Sequence, residues 1–528
     1  MMELYYNLPQ SLGAVDSLGR SLPTGVIARS PKERAVGLFY FLWCGEHGRH
    51  VPYDISKIVT ADPDAGYHTD SPLWGSVGTY HHWGEPFFGY YYSDDEWVIR
   101  RHMTLFCDAG VDFLYFDTTN AVIYEKNVKI VLRVLQEYHD AGFRIPKVMF
   151  YTNTASGKTV EALYNAIYKP RYCPDTWYYF EGKPVIIAVP EECSAEARAF
   201  FNIKLAQWPT EPDKQGGWPW MDFTRPQRVF DNLRGEPEVM SVSVAQHPQL
   251  RFGDSVLYGE TENRGRAYHD GRNDPDPAAF LGGANFGEQF ARAIEADVPV
   301  VLVTGWNEWI AGRWNGIPER PIMFVDCANA EYSRDLELMR GGYFDNYYLQ
   351  FISCIRAYKG QSASEIPHIC HHVPGGSLHR DNDGYGAHYE NHTGRNALKS
   401  LSVEMDGDTL AVRVSAYDKL DPDRNGSFMQ VFVTGENETH GVFATAWTEN
   451  GATIGAVDTK NYTSRRTERE IEAEIGEDSV LYRIPRALLP EGTLWLKAAD
   501  SRETIRCGAD FYDKGDTVPA GRLWFVVR

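Results

Sequence analysis

Trp306-Asn307-Glu308-Trp309 comes two residues after the apolar run Val300-Val301-Leu302-Val303. This order reads as a buried strand that ends by presenting a carboxylate among aromatic rings. A carboxylate can pass a proton to or from a glycosidic oxygen, and indoles can stack on the apolar faces of sugar rings. Glu308 is therefore the first candidate for catalysis. Trp306 and Trp309 would wall a sugar subsite, and Asn307 would orient a hydroxyl or the carboxylate. The structural alternative is a polar knot at the strand end, with Glu308 held in a salt bridge.

Asp117 is the second candidate. It ends the run Val111 to Phe116 and is followed by Thr118-Thr119-Asn120, small groups that can hydrogen-bond a substrate. It could act as base, nucleophile or hydroxyl clamp, or cap the helix expected from Val122. The separation of two such carboxylates would set the chemistry. About 5 Å favours direct attack, and roughly 6.5–9.5 Å leaves room for water.

Further polar groups cluster near turns. His81-His82-Trp83-Gly84-Glu85 offers hydrogen-bonding groups beside an aromatic plate, either as a substrate loop or as a packed surface loop. Tyr92 closes the aromatic run Tyr90-Tyr91-Tyr92 ahead of a helix, where Ser93 or Asp94 suits an N-cap. Glu192 follows a strand, where it could enter the site or place negative charge at a helix start. His247 lies past another strand. Arg313 follows the Trp-Asn-Glu-Trp turn, and Asp326 ends an apolar run, where it could instead hold Arg334. With Asn120, these residues form the expected substrate contacts.

The elements that must position these groups alternate. Apolar strands are expected at 36–43, 111–117, 147–151, 184–189, 201–205, 239–244, from 300, and at 321–326. Helical periodicity falls between them, at 94–109, 122–141, 159–168, 195–200 and 286–296, with a closing helix at 345–358. Eight strands with intervening helices predict a (β/α)8 TIM barrel, and an open doubly wound sheet is the alternative. Residues 1–35 read as a lead-in and 36–358 as the catalytic barrel. Residues 359–392, rich in Gly, Ser, His, Asn and Asp, read as a linker. From 393 to 528, short alternating strands and turns predict an antiparallel β-sandwich accessory domain.

Composition excludes other classes. A formal charge of −20 and no basic stripe argue against nucleic-acid binding. No apolar stretch reaches the roughly 18 residues of a membrane helix. The eight cysteines form no CxxC pair and read as free thiols, which favours a reducing, cytoplasmic setting, with export left open. No HExxH motif occurs, and the prolines of the acidic loop 270–277 fit no EF-hand, so no metal is expected. GxGxxG and Gly-x-Ser-x-Gly motifs are also missing. No cofactor is implied. The expected partner is an oligosaccharide or glycoconjugate, and assembly into a homo-oligomer is left open.

The barrel half resembles the broad glycoside hydrolase group that includes families 99 and 71. The resemblance rests on Tyr91 through Asn120, on Gly182-Lys183-Pro184 before a strand, and on Trp306-Asn307-Glu308-Trp309. It spans roughly 36–358, and the segment Phe324 to Asp335 is similar to a barrel-end segment of the same group. The resemblance implies a catalytic role for Glu308. The endo-mannosidase members commonly carry a second acid three places after that Glu, where this chain has Ala311. The neighbouring-hydroxyl mechanism is therefore not carried over, and Asp117 or Asp326 would have to supply the second carboxylate. The C-terminal half resembles small sugar-binding accessory domains.

Overall fold

The computed structural model describes residues 7–247, 257–259, 262–325, 327, 329–362 and 367–528. Eight parallel strands build the first half: β1 Ala35–Tyr40, β2 Phe113–Thr118, β3 Lys147–Thr152, β4 Lys183–Ala188, β5 Asn202–Gln207, β6 Gly217–Pro219, β7 Pro237–Ser243 and β8 Val300–Trp306. Seven parallel pairings run β6-β5-β4-β3-β2-β1-β8-β7. Among the described residues, no ladder closes β6 onto β7. The result is a near-closed TIM barrel.

Side-chain alternation explains why these segments are apolar on both faces. Phe39, Phe113, Tyr115, Met149, Tyr151, Val185, Ile187, Val239 and Leu302 fill the barrel interior. Their neighbours Leu38, Tyr40, Leu114, Phe116, Phe150, Ile186, Val242 and Val303 face the helices. Two interior hydroxyls brace the ring. Tyr115 donates to the Val303 carbonyl at 2.8 Å, and Tyr151 reaches the Gln207 and Trp218 carbonyls, each at 3.0 Å.

The outer layer includes α1 Glu96–Ala109, α2 Glu125–Asp140, α3 Ser156–Leu163, α4 Ala195–Phe200, α5 Ala284–Ala296 and α6 Asn346–Lys359. Helix α1 shows why these boundaries fall where they do. The Asp95 carboxylate accepts from the Val98 N–H at its start, and Gly110 ends it in the left-handed region at φ 75°. No described helix is long and apolar enough to cross a membrane.

One expected barrel strand lies elsewhere. Arg320–Phe324 pairs antiparallel with Ile310–Ile317, which pairs with Tyr80–His82 in a small sheet outside the barrel. The part of that run at 321–324 is therefore a hairpin return. The strand that takes its place in the ring, β6, has only three residues, and one is a proline.

The second half is an antiparallel sandwich. Leu398–Asp406, Thr409–Ala416 and Ser479–Pro485 form one layer, and Ser427–Gly435, Leu494–Ser501 and Trp524–Val527 belong to the other. The long strand Asn461–Ile475 pairs first with Gly451–Asp458 and then with Ser479–Pro485, so it joins the two layers. Val442–Thr448 is a further strand that the sequence pattern did not separate. Among these strands, Asp510–Asp513 is a helical turn. Its aromatic pair Phe511 and Tyr512 is buried from that turn.

Two segments expected to be irregular pair with structured elements. Leu12–Gly13 pairs antiparallel with Phe525 and Trp524 at the edge of the sandwich. Arg380–Gly384 and Ala387–Asn391 form a hairpin on the barrel, where Arg380 pairs with Asp95 at 2.8 Å. From the same hairpin, Tyr385 and Tyr389 accept hydrogen bonds from the Gly45 and Tyr90 N–H groups.

Candidate active site

The end of β8 is reshaped before it presents its carboxylate. Its register against β1 shifts between Val303 and Trp306. Gly305 sits in this irregularity at φ 155°, and a Cβ there would lie 2.8 Å from the Arg334 carbonyl oxygen. Glycine therefore lets the segment around Arg334 approach the strand end. Asn307 follows at φ 63°, a left-handed conformation that asparagine tolerates better than most residues. Its side-chain oxygen accepts from the Phe41 N–H and its amide donates to the Phe41 carbonyl, both at 2.8 Å. Asn307 thus extends the β8–β1 pairing by one side chain.

Glu308 is next, and Arg334 grips it. The guanidinium donates through Nε to Oε2 at 2.8 Å and through a terminal nitrogen to Oε1 at 2.5 Å. Both side chains are buried, at 0% exposure for Arg334 and 3% for Glu308. A bidentate guanidinium in a shielded site favours the ionised carboxylate. The salt bridge of the structural alternative is therefore present, yet Glu308 also lines an open cavity. The Glu308 backbone is fixed as well. Its N–H donates to Asp335 at 2.8 Å, and its carbonyl accepts from the Trp83 indole at 2.9 Å.

That cavity measures about 350 Å³ and opens at the C-terminal ends of the barrel strands. Its polar lining includes Glu308, Asp117, Asn120 and His247, and its plates are Phe41, Trp43, Trp208 and Trp220. Asp117 stands near the end of β2, with Oδ1 accepting from the Thr119 N–H at 3.0 Å. Strands β2 and β8 flank β1 on either side, so the two carboxylates enter from either side of Phe41. The Asn120 amide donates to the Tyr124 hydroxyl at 2.8 Å. Burial, and to a lesser degree the charge on Arg334, holds His247 well below the ordinary histidine range. It is a neutral imidazole near neutral pH, able to donate and accept.

Residues 333–337 form the bed beneath this turn. Leu336 donates its N–H to the Gly305 carbonyl at 3.0 Å. Burial pushes the Asp335 carboxyl up to about 7, and the nearby Glu337 adds to the shift. Glu337 is fully buried and accepts from Tyr91 at 2.7 Å and Trp309 at 2.5 Å, with His102 at 2.9 Å. Arg334, Asp335 and Glu337 thus hold the side chain, backbone and following indole of the Glu308 turn. In the sequence alone, Arg334 stands out only as a partner for Asp326.

The other expected contacts among the described residues lie outside the cavity lining. Trp306 is buried against Phe106 and His102 in the helical layer. Trp309 stacks on Trp83 at 4.3 Å in the core. His81 and His82 are buried in the small outer sheet, His81 against Phe324 and His82 against Tyr90 and Tyr385. Tyr92 lies beneath Arg49, 4.2 Å from its guanidinium carbon. Glu192 accepts from the Gly157 N–H in the first turn of α3, the bland role foreseen for it. Arg313 donates to the Gly75 and Thr69 carbonyls and fastens that loop. Asp326 lies outside the described residues.

Trp43, Trp208 and Trp220 line the cavity but are not among the contacts expected from the sequence. The signal was present in Trp208, just past β5, and in Gly217-Trp218-Pro219-Trp220, but those positions showed no strand periodicity.

No protein-family model matches the chain, and neither does any curated protein. Two solved structures of the GH99 endo-alpha-mannosidase from Bacteroides thetaiotaomicron are similar, one of them in complex with Bis-Tris-propane. Each is 15% identical and covers 62% of this chain and 98% of its own, with TM-scores of 0.35 for the complex and 0.38 for the other. Similarity this low assigns neither family nor chemistry, so the functional reading rests on the cavity.

Proposed function

We propose that this protein is a glycoside hydrolase that cleaves O-glycosidic bonds in an oligosaccharide or glycoconjugate. One observation carries the reading. Asp117 and Glu308 come from two barrel strands and line one cavity with three indoles and a neutral histidine. Indole faces suit the C–H faces of a sugar ring, while carboxylates and imidazole suit its hydroxyls. Two carboxylates at one cavity are also what stabilisation of an oxocarbenium-like transition state and proton transfer to the leaving oxygen require.

The experiment is a broad glycan hydrolysis screen with mass-resolved products, run beside Glu308→Gln and Asp117→Asn. Cleavage by the parent, with at least a 100-fold loss in each folded variant, supports the reading. Full-rate cleavage by folded Glu308→Gln removes that residue from catalysis.

A carbohydrate-binding protein without turnover is the second reading, favoured by the ion pair that neutralises Glu308. Glycan binding with no products, unchanged in Glu308→Gln, would select it.

A further inference from the structure

The aromatic surface of the cavity continues past its rim. Resting on the reading that the cavity takes a sugar, we propose that a shelf running from Trp43 through His47 and Tyr80 to Trp314 binds further sugar units of the same saccharide. The ligand class is then an oligosaccharide longer than the cavity, and Trp314 is a specificity-determining residue for its length.

Two links join the shelf to the cavity. Trp43 lines the cavity, and its ring meets those of His47 at 5.5 Å and Tyr80 at 6.2 Å, centroid to centroid. Asn120 also lines it and donates to the Tyr124 hydroxyl, which lies 3.4 Å from His47 Nε2. His47 and Tyr80 in turn lie face to face, 4.6 Å apart and 9° from parallel.

The small outer sheet carries the shelf onward. Tyr80 stands directly opposite Gly312, so a side chain at 312 would share its face of the sheet. There is none, and the Trp314 indole folds into that space. A Cβ on Gly312 would lie 3.1 Å from Trp314 Nε1. The indole is thereby seated on the Tyr80 face, and Trp314 remains 45% exposed.

The chemistry of the shelf fits a sugar chain. Indole, phenol and imidazole are plates with polar edges, so their faces suit C–H groups and their edges suit hydroxyls. Burial lowers His47 below the ordinary histidine range, which keeps the ring neutral near neutral pH. A single exposed indole would mean little. Trp314 instead continues a contiguous aromatic surface that begins inside the cavity. That continuity selects the occupant, a saccharide already held in the cavity.

Chain length is the test. The probe is a glycan array, read with the parent and with Glu308→Gln to prevent turnover. The best-bound oligosaccharide is then titrated calorimetrically in lengths of one to four sugars. Affinity should grow as sugars are added beyond those the cavity holds. Trp314→Ala, made in the Glu308→Gln background, should shrink the gain between one and four sugars by about 10-fold. Trp314→Phe keeps a ring and should restore most of that gain, which separates a lost contact from a damaged fold.

Affinity that does not grow with length would overturn the proposal. So would a gain that survives Trp314→Ala whole, or an array bound by neither protein. Length-dependent binding that needs Trp314 but yields no products would uphold the shelf while the hydrolase reading fails. Cleavage joined to affinity indifferent to length would do the reverse.

Discussion

Asn307 hydrogen-bonds both backbone groups of Phe41, donor and acceptor alike at 2.8 Å. The amide copies the two-way exchange that a strand residue makes with its partner. It does so where the β8–β1 register has already broken. Asn307→Ala would leave two buried backbone groups without that partner and put alanine at φ 63°. The expected cost is about 2–4 kcal/mol, read as a lower denaturant midpoint. Asn307→Asp, which keeps only the acceptor, should fall between parent and alanine variant. A midpoint unchanged in both would show that the pairing contributes nothing.

Asp335 should make stability depend on pH. Its folded carboxyl titrates at about 7, against an ordinary 3.8. Between those values the folded state binds a proton that the unfolded state has lost, so stability falls as pH rises through this window. Below about pH 4 both states are protonated and the penalty vanishes. Asp335→Asn keeps an acceptor for the Glu308 N–H and carries no charge. Its stability relative to the parent should therefore rise from pH 4 to pH 7 by a few kcal/mol and stay level above. Unfolding midpoints across that range decide it, and parallel curves would rule the mechanism out.

His81 and His82 should act in the opposite direction. Burial foremost lowers them to about 4 and about 3 from 6.5. Below pH 6.5 the unfolded chain binds protons that these rings refuse, so stability drops as pH falls toward 4. His82 lies edge-on between the Tyr90 and Tyr385 rings. His82→Phe should fit there and flatten part of the acid decline. A variant as acid-sensitive as the parent would place the decline elsewhere.

Trp208 should report ligand binding. It is half-buried, lines the cavity and lies 5.6 Å from Trp220, centroid to centroid. A cleavable or inhibitory saccharide should change the tryptophan emission. Trp208→Ala should weaken its binding by about 10-fold, or 1.4 kcal/mol, with little loss of thermal stability. Full affinity in this variant would place the sugar elsewhere.

Parts of this architecture were legible because parallel barrel strands are apolar on both faces. The runs at Val36, Phe113, Val148, Val185, Val239 and Val300 could hardly be anything else. Strand β6 was illegible for the converse reason: three residues that include Pro219 carry no periodicity. The places of Asp117 and Glu308 at strand ends were legible, and both line the cavity. Their neighbours Trp306 and Trp309 lie outside the cavity lining because the irregularity at Gly305 breaks the strand alternation. Trp306 consequently turns toward the helices. The bed at residues 333–337 was hidden as well, since its contacts to Glu308, Trp309 and the first helix span 26 residues or more.

The pairing of Leu12 and Gly13 with Phe525 and Trp524 bears on the order of assembly. These strands lie at opposite ends of the described chain, and Arg522 donates to the Val15 carbonyl across 507 residues. During synthesis the early strand stays without this partner until the residues around Phe525 have been made. The pairing is then a clasp between segments made early and late in the described chain. A nascent chain halted after the barrel would still lack the partner for Leu12 and Gly13.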